Sequence, residues 1–145
     1  MSVQTILVGV DGSAGSRAAL TWATDLAADL RAKLVLLHVF EPLAHLAELA
    51  PGADLRAARG RATASVRGPM CEDLRARGLE YETLVREGEP AQVIVEAADE
   101  VGADLIVVGA RAMGAVKGLL LGSTSSRLAR LTPRPVVIVH APELP

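Results

Sequence analysis

Four glycines and a run of hydroxyl side chains share one segment, Val107 to Ser126. The glycines are Gly109, Gly114, Gly118 and Gly122, and Ser123-Thr124-Ser125-Ser126 follow them. Glycine has no Cβ, so a ligand can approach its backbone N–H groups closely. The N-terminus of a following helix adds a partial positive charge. These residue types in this order predict a phosphate-binding loop.

The common phosphate-binding motifs do not fit this chain. A P-loop needs Lys directly before its Ser or Thr, and Gly122 stands in that place before Ser123. The glycines at the end of the first apolar run and in the turn after it are Gly9, Gly12 and Gly15, and their spacing departs from the dinucleotide fingerprint. These mismatches argue against a P-loop ATPase and against NAD binding.

Five short runs rich in Val, Ile and Leu predict β-strands. Most of them are almost continuously apolar, which is typical of parallel strands covered by helices on both faces, whereas the third alternates like an edge strand. The predicted strands are Thr5 to Val10, Lys33 to Phe40, Glu80 to Val85, Asp104 to Val108 and Pro135 to His140.

The segments between the strands carry the apolar spacing of amphipathic helices. One helix is predicted after Ser13, one from Pro90 to a glycine stop at Gly102, and one over Ser123 to Leu131. The stretch Ala53 to Arg77 is predicted to be mainly helical, with interruptions or kinks at Gly60 and at Gly68-Pro69. The segment Glu41 to Gly52 is predicted to be a loop or short helix over one edge of the sheet.

Strands that alternate with helices predict an α/β fold, a doubly wound parallel sheet with right-handed crossovers. Ligands of such sheets bind beyond the carboxyl ends of the strands, where the winding direction reverses. Two loops are expected there: Val10-Asp11-Gly12-Ser13 after the first strand and the glycine-rich segment after the fourth. A ligand between them would contact both.

Composition limits the class of protein. The chain has 145 residues, half of them hydrophobic, with a net charge of −2 and one cysteine, Cys71. One domain covering residues 1–145 is expected, and the lack of basic excess disfavours nucleic acid as a partner. No apolar run approaches the roughly 20 residues that span a bilayer, so we expect no membrane association. A lone cysteine and no signal sequence predict a cytoplasmic protein.

The chain resembles the universal stress protein family over its whole length. The resemblance rests on Val10-Asp11-Gly12-Ser13, on Leu36-Leu37-His38-Val39 and on the loop from Val108-Gly109 through Lys117-Gly118 to Gly122-Ser123. Nucleotide-binding members carry Gly, two residues, Gly, nine residues, Gly, and then Ser or Thr. Gly109, Gly122 and Ser123 match this pattern, and Ala112 replaces its second glycine.

This resemblance implies a five-stranded parallel sheet in the order 3-2-1-4-5 with a nucleotide over strands one and four. It also implies a regulatory protein whose bound ligand is ATP, with AMP or ADP as alternatives, together with Mg²⁺. Little or no hydrolysis of the ATP is expected. Asp11 would contact ribose hydroxyls or a phosphate-bound Mg²⁺, and Val39 would offer backbone groups to adenine. The phosphates would be surrounded by Gly109, Arg111, Ala112, Gly122, Ser123 and Thr124.

A homodimer is expected as well. In the order 3-2-1-4-5 the last strand, Pro135 to Val139, is an edge whose unpaired backbone groups invite pairing with a second copy. The resemblance implies the same assembly.

Simpler roles remain open for the same residues. Asp11 could simply cap the first helix, Ser123 and Thr124 could be only N-caps, and the glycines could serve only as turns. His38 is expected to be a core or strand-end histidine rather than a catalytic base. No Ser-His-carboxylate set is evident in the sequence. The alternatives to an ATP-binding regulator are therefore a dimeric adaptor that binds no nucleotide and an ATP-consuming enzyme.

Overall fold

The computed structural model describes residues 2–41, 55–110 and 121–142. Strands and helices follow one another along the chain in the alternation expected from the sequence. The strands are β1 (Thr5–Gly9), β2 (Lys33–Phe40), β3 (Tyr81–Glu87), β4 (Leu105–Gly109) and β5 (Val136–Val139). The helices are α1 (Ala14–Leu30), α2 (Leu55–Arg67), α3 (Pro69–Ala76), α4 (Pro90–Val101) and α5 (Ser123–Leu131).

The five strands form one parallel sheet in the order β3-β2-β1-β4-β5, which confirms the predicted fold class and strand order. The strand order reverses between β1 and β4, because the chain winds outward from β1 to β3 and then returns to place β4 on the other side of β1. The carboxyl ends of β1 and β4 therefore flank the position where ligands of such sheets bind.

Each face of the sheet is covered by its own set of helices. Ile6 and Leu34 lie fully buried on the face that α1, α2 and α3 cover, and Leu7 and Ile106 lie fully buried on the face that α4 and α5 cover. Neighbouring residues of a strand point to opposite faces. The continuously apolar runs in the sequence thus fill two cores at once.

Of the two interruptions predicted between Ala53 and Arg77, the structure has one, and local chemistry explains the difference. Gly60 lies inside α2 and does not interrupt it, since an isolated glycine costs a helix only about 1 kcal/mol. The predicted break at Gly68-Pro69 is confirmed: the Gly68 N–H donates to the Ala64 carbonyl at 2.9 Å to close α2, and Pro69 starts α3. Proline suits a first helical turn because it has no N–H to leave unpaired there.

Smaller differences affect the strand ends. β1 ends at Gly9 instead of Val10, β3 runs from Tyr81 to Glu87 instead of Glu80 to Val85, and β5 is shorter than Pro135 to His140. The segment predicted as a loop or short helix, Glu41 to Gly52, lies outside the described residues except for Glu41. Among the described residues, no helix is long and apolar enough to cross a membrane.

Candidate functional site

A cleft opens at the carboxyl ends of β1, β2 and β4, at the position where the strand order reverses. Its walls come from three strand ends and from the N-termini of three helices. The lining residues are Gly9, Val10, Asp11, Ser13, Ser16, Leu37, Val39, Glu41, Pro90, Ile94, Val108, Gly109, Ala110, Gly122, Thr124 and Ser125. The cleft thus brings together five of the residues singled out in the sequence: Asp11, Val39, Gly109, Gly122 and Thr124.

The turn between β1 and α1 is held by hydrogen bonds between its own side chains and backbone. Ser13 is the N-cap of α1, and its Oγ accepts from the Ser16 N–H at 3.1 Å. Oδ1 of Asp11 accepts from the Ser13 N–H at 2.8 Å, while Gly12 takes a φ of 82° that favours glycine. Asp11 is therefore not the helix cap, and that alternative is wrong. One oxygen of its carboxylate is bound to the turn.

Gly109 at the end of β4 allows α1 to approach the sheet closely. A Cβ at this position would lie 2.5 Å from the carbonyl carbon of Gly15 and 2.9 Å from the backbone nitrogen of Ser16. Real Cβ atoms do not come so near to backbone atoms. The absence of a side chain at Gly109 is thus required by the packing of α1 on β4, whether or not a ligand binds.

The N-terminus of α5 opens into the cleft without a side-chain cap. Gly122 is the N-cap, with φ of −80° and ψ of 175°, and no side chain among the described residues makes a capping hydrogen bond. Ser123 and Thr124 are consequently not caps, which corrects the second simpler interpretation. The first N–H groups of a helix have no acceptor within that helix. Those of α5 belong to Ser123, Thr124 and Ser125, and they are suited to an anion.

The start of α5 is fixed to the end of β4 through one carbonyl group. The Ala110 carbonyl oxygen accepts from the Gly122 N–H at 2.6 Å and from Oγ of Ser125 at 2.9 Å. Ser125 is 2% exposed, and its hydroxyl also lies 3.1 Å from the Gly122 carbonyl oxygen. These bonds hold the uncapped helix end against the strand that forms the floor of the cleft.

A further contact joins the two helices on this face of the sheet. Glu89 is the N-cap of α4, and its carboxylate accepts from the Ala91 and Gln92 N–H groups at 3.2 and 3.0 Å. The same carboxylate pairs with Arg127 of α5 at 2.8 Å. Both groups are partly exposed, so the ion pair contributes little to stability. Its geometry nevertheless links the start of α4 to the middle of α5.

The charged side chains among the described lining residues are two carboxylates, Asp11 and Glu41. Within the described ranges no three His, Cys, Asp or Glu side chains are grouped closely enough to hold a metal ion. Mg²⁺ commonly uses one or two carboxylates together with substrate phosphates and water. A single carboxylate such as Asp11 fits that manner of binding, in which the ion arrives with the nucleotide.

Some of the predicted residues are not in the cleft or cannot be placed. Ser123 is exposed and is not among the lining residues. Arg111 and Ala112 lie outside the described residues, as do Gly114, Lys117 and Gly118.

Sequence reasoning missed other lining residues, among them Ser16, Pro90 and Ser125. The spacing of Ser13 and Ser16 after a strand is a capping signal, and it points to Ser16. Ser125 belongs to the hydroxyl run after Gly122, although nothing local distinguishes it from its neighbours.

Comparisons with known proteins agree with this architecture. The sequence model of the universal stress protein family matches residues 2–140. Universal stress protein YxiE of Bacillus subtilis is 32% identical over 144 residues, covering 93% of this chain and 97% of that protein.

Two solved structures extend the comparison to three dimensions. One is a universal stress protein in complex with cAMP, 35% identical, with a TM-score of 0.65 over 98% of this chain and 100% of that one. The other is the universal stress protein of Archaeoglobus fulgidus in complex with dAMP, with a TM-score of 0.67 over 96% of this chain and 99% of that one. At 23% identity, this second structure supports the fold alone. The family match, the relatives and the sheet order agree, and this chain belongs to the universal stress protein family.

Proposed function

We propose that this stress-response protein is a regulator that binds an adenine nucleotide, ATP with Mg²⁺, in the cleft between β1 and β4. The observation that carries the proposal is the uncapped N-terminus of α5, which opens into the cleft that Asp11 also lines. Free N–H groups and the helix dipole favour phosphate. A carboxylate on the other wall favours a ribose hydroxyl or a phosphate-bound cation.

The walls of the cleft fit the parts of a nucleotide. Leu37, Val39 and Ile94 provide an apolar surface for an adenine ring. Asp11 would contact the ribose or Mg²⁺, and the phosphates would lie at Gly122, Ser123 and Thr124, with Gly109, Arg111 and Ala112 beside them. The cAMP complex of a relative at 35% identity supports an adenine nucleotide as the class of ligand.

We infer that hydrolysis is slow at most. The ionisable side chains among the described lining residues are Asp11 and Glu41. Asp11 already accepts a hydrogen bond from the Ser13 N–H, and Glu41 is exposed. A general base must lie within hydrogen-bond reach of the attacking water and be held there. These two carboxylates favour binding and orientation of the ligand over rapid chemistry.

Calorimetry with Mg-ATP, and in parallel with ADP, AMP and cAMP, tests the proposal. Saturable binding of one of these nucleotides supports it, and the Ala112→Gly variant should bind Mg-ATP up to about tenfold more tightly, since 1.4 kcal/mol is a factor of ten. Alanine carries a methyl group where the family pattern has glycine. No binding at millimolar nucleotide by either protein would contradict the proposal. The packing role of Gly109, which needs no ligand, favours a nucleotide-free adaptor in that event.

We also propose a homodimer through β5, together with Pro135 before it. The two edge strands of the sheet differ: β3 carries Glu82, Arg86 and Glu87, whereas β5 is Val136 to Val139 without a charge, and all four residues are half-buried. Charges on an edge strand oppose pairing with another chain, and their absence permits it. Light scattering should give twice 15.1 kDa. Val137→Lys should shift the mass toward the monomer, and a monomer for the unmodified protein at tens of micromolar would contradict the assembly.

A cytoplasmic site of action is part of this proposal. Cys71 is a buried free thiol, as expected in a reducing compartment. Localisation of a tagged full-length chain by cell fractionation tests it.

A further inference from the structure

The peptide unit that joins Val10 to Asp11 is held from both sides by side chains of other elements. Nδ1 of His38, near the end of β2, lies 2.8 Å from the Val10 carbonyl oxygen. On the other side of the same peptide, the Asp11 N–H donates to Oγ of Ser16 in α1 at 3.2 Å. These two hydrogen bonds fix the plane of the peptide from which the Asp11 side chain departs.

The direction of the His38 hydrogen bond follows from its partner. A carbonyl oxygen can only accept, so Nδ1 carries the hydrogen and donates. Nδ1 carries a hydrogen in the imidazolium as well. The hydrogen bond to Val10 therefore forms whether the ring is neutral or charged, and its role is to orient the Val10–Asp11 peptide.

The side chains that hold the Val10–Asp11 peptide and the Asp11 carboxylate differ in what they can orient. Ser13 and Ser16 belong to the N-terminus of α1, so their bonds to Asp11 hold its N–H and Oδ1 to the helix that follows. His38 belongs to β2, next to Val39, which lines the cleft. The His38 bond thus relates the β1–α1 turn to the strand on the adenine side of the proposed site.

We propose that His38 is a positioning residue, which sets the place of the Asp11 carboxylate in the cleft through the Val10–Asp11 peptide. The effect of His38 on nucleotide affinity rests on the function proposed above. The effect of His38 on the geometry of the β1–α1 turn is independent of that function. The two can therefore be measured separately.

The first experiment uses the protein without nucleotide. His38→Leu removes the donor at similar volume, whereas His38→Asn keeps an amide N–H close to the position of Nδ1. In ¹H–¹⁵N spectra the Asp11 and Ser13 amide signals should shift in His38→Leu and return largely to their original positions in His38→Asn. Unshifted Asp11 and Ser13 signals in a folded His38→Leu protein would overturn the proposal, and so would equal shifts in the two variants.

The second experiment measures Mg-ATP affinity by calorimetry at a temperature where all variants are folded. His38→Leu should weaken binding about tenfold, the effect of one hydrogen bond near 1.4 kcal/mol, and His38→Asn should recover most of the loss. In the Asp11→Ala background, His38→Leu should add less than about twofold, because residues that act through one another are not additive. A full tenfold loss in that background would show that His38 does not act through Asp11.

A purely structural histidine would lower the melting temperature in both variants and leave affinity unchanged, which also counts against the proposal. If the unmodified protein binds none of the nucleotides, the proposed function fails. The amide shifts of the free protein still decide whether His38 positions Asp11.

Discussion

Oγ of Ser125 lies 2.9 Å from the carbonyl oxygen of Ala110 and donates a hydrogen bond to it. Ala110 is the last described residue before the glycine-rich segment and residue 121 the first after it, so this bond connects the described residues on its two sides. The Gly122 N–H donates to the same oxygen. The start of α5 is therefore held at β4 by contacts that do not involve the residues between them.

Replacing Ser125 tests that anchor. Ser125→Ala should lower the free energy of unfolding by about 1 kcal/mol, the usual net value of a buried hydrogen bond, and should weaken Mg-ATP binding because the α5 N-terminus is held less firmly. Urea unfolding and calorimetry measure the two effects. Ser126→Ala, one residue further along the same helix, serves as the matched control. Equal stability of the two variants would argue that the Ala110 contact contributes nothing.

Gly109 is predicted to be a packing residue in the absence of any ligand. Gly109→Ala places a methyl group against the Gly15 backbone and should destabilise the free protein by about 1 to 3 kcal/mol, as overpacking does. Gly60→Ala is the control, since a Cβ there meets nothing within 4 Å inside α2, and it should stabilise by about 0.5 to 1 kcal/mol. Thermal unfolding of both variants checks the opposite signs. An unaffected Gly109→Ala protein would show that α1 can shift at no cost.

The open N-terminus of α5 can be closed by a single substitution. Gly122 has extended dihedrals that any residue adopts, so Gly122→Asn and Gly122→Asp should both cap the helix and leave stability equal or raised by a few tenths of a kcal/mol. The aspartate adds a negative charge where we place the phosphates, so it should bind Mg-ATP at least about tenfold more weakly than the asparagine. Calorimetry on the pair tests this, and indistinguishable affinities would place the phosphates elsewhere.

Asp104, at the opposite end of β4 from the cleft, makes a pH-dependent contribution to the stability of the protein. Its carboxylate accepts from the Gln4 and Thr5 N–H groups at 2.9 and 3.1 Å, and these backbone hydrogen bonds hold its pKa below the ordinary value of 3.8. A depressed folded-state pKa stabilises the protein above the ordinary pKa, and the contribution is lost as the pH falls through the lowered value. Asp104→Asn should be less stable than the unmodified protein near neutral pH, and the difference should be smaller at a pH well below the ordinary pKa of 3.8. Urea unfolding at the two pH values measures it; a difference independent of pH would contradict the assignment.

The single thiol is predicted to be unreactive in the folded state. Cys71 is buried, donates to the Val66 carbonyl oxygen at 3.1 Å, and has its pKa raised by burial. The thiolate is the reactive form, so a raised pKa and lack of access both slow modification. A coloured disulfide reagent should label Cys71 only when the chain unfolds, and labelling of the native protein at the rate of a free thiol would contradict its burial.

The sequence by itself determined the features that depend on local pattern. Continuous and alternating apolar runs predicted the strands, and the helix break at Gly68-Pro69 followed from the missing proline N–H. The stop at Gly102 followed from the freedom of glycine to adopt the left-handed conformation, which the structure confirms with φ of 64°. The strand order came from the family resemblance. The hydrophobic pattern indicates parallel strands covered by helices on both faces, but it does not indicate which strands are neighbours.

Only the tertiary structure decided which partner each site residue has. The sequence presents Gly109 as a loop glycine, and the fold shows that the backbone of Gly15 occupies the space of its missing side chain. It presents Asp11 as a candidate for the cap of α1, and the geometry assigns the cap to Ser13. Contacts such as His38 with Val10 and Ser125 with Ala110 join positions distant along the chain. Local propensity carries no information about them, since they exist only once the strands are paired and the helices packed.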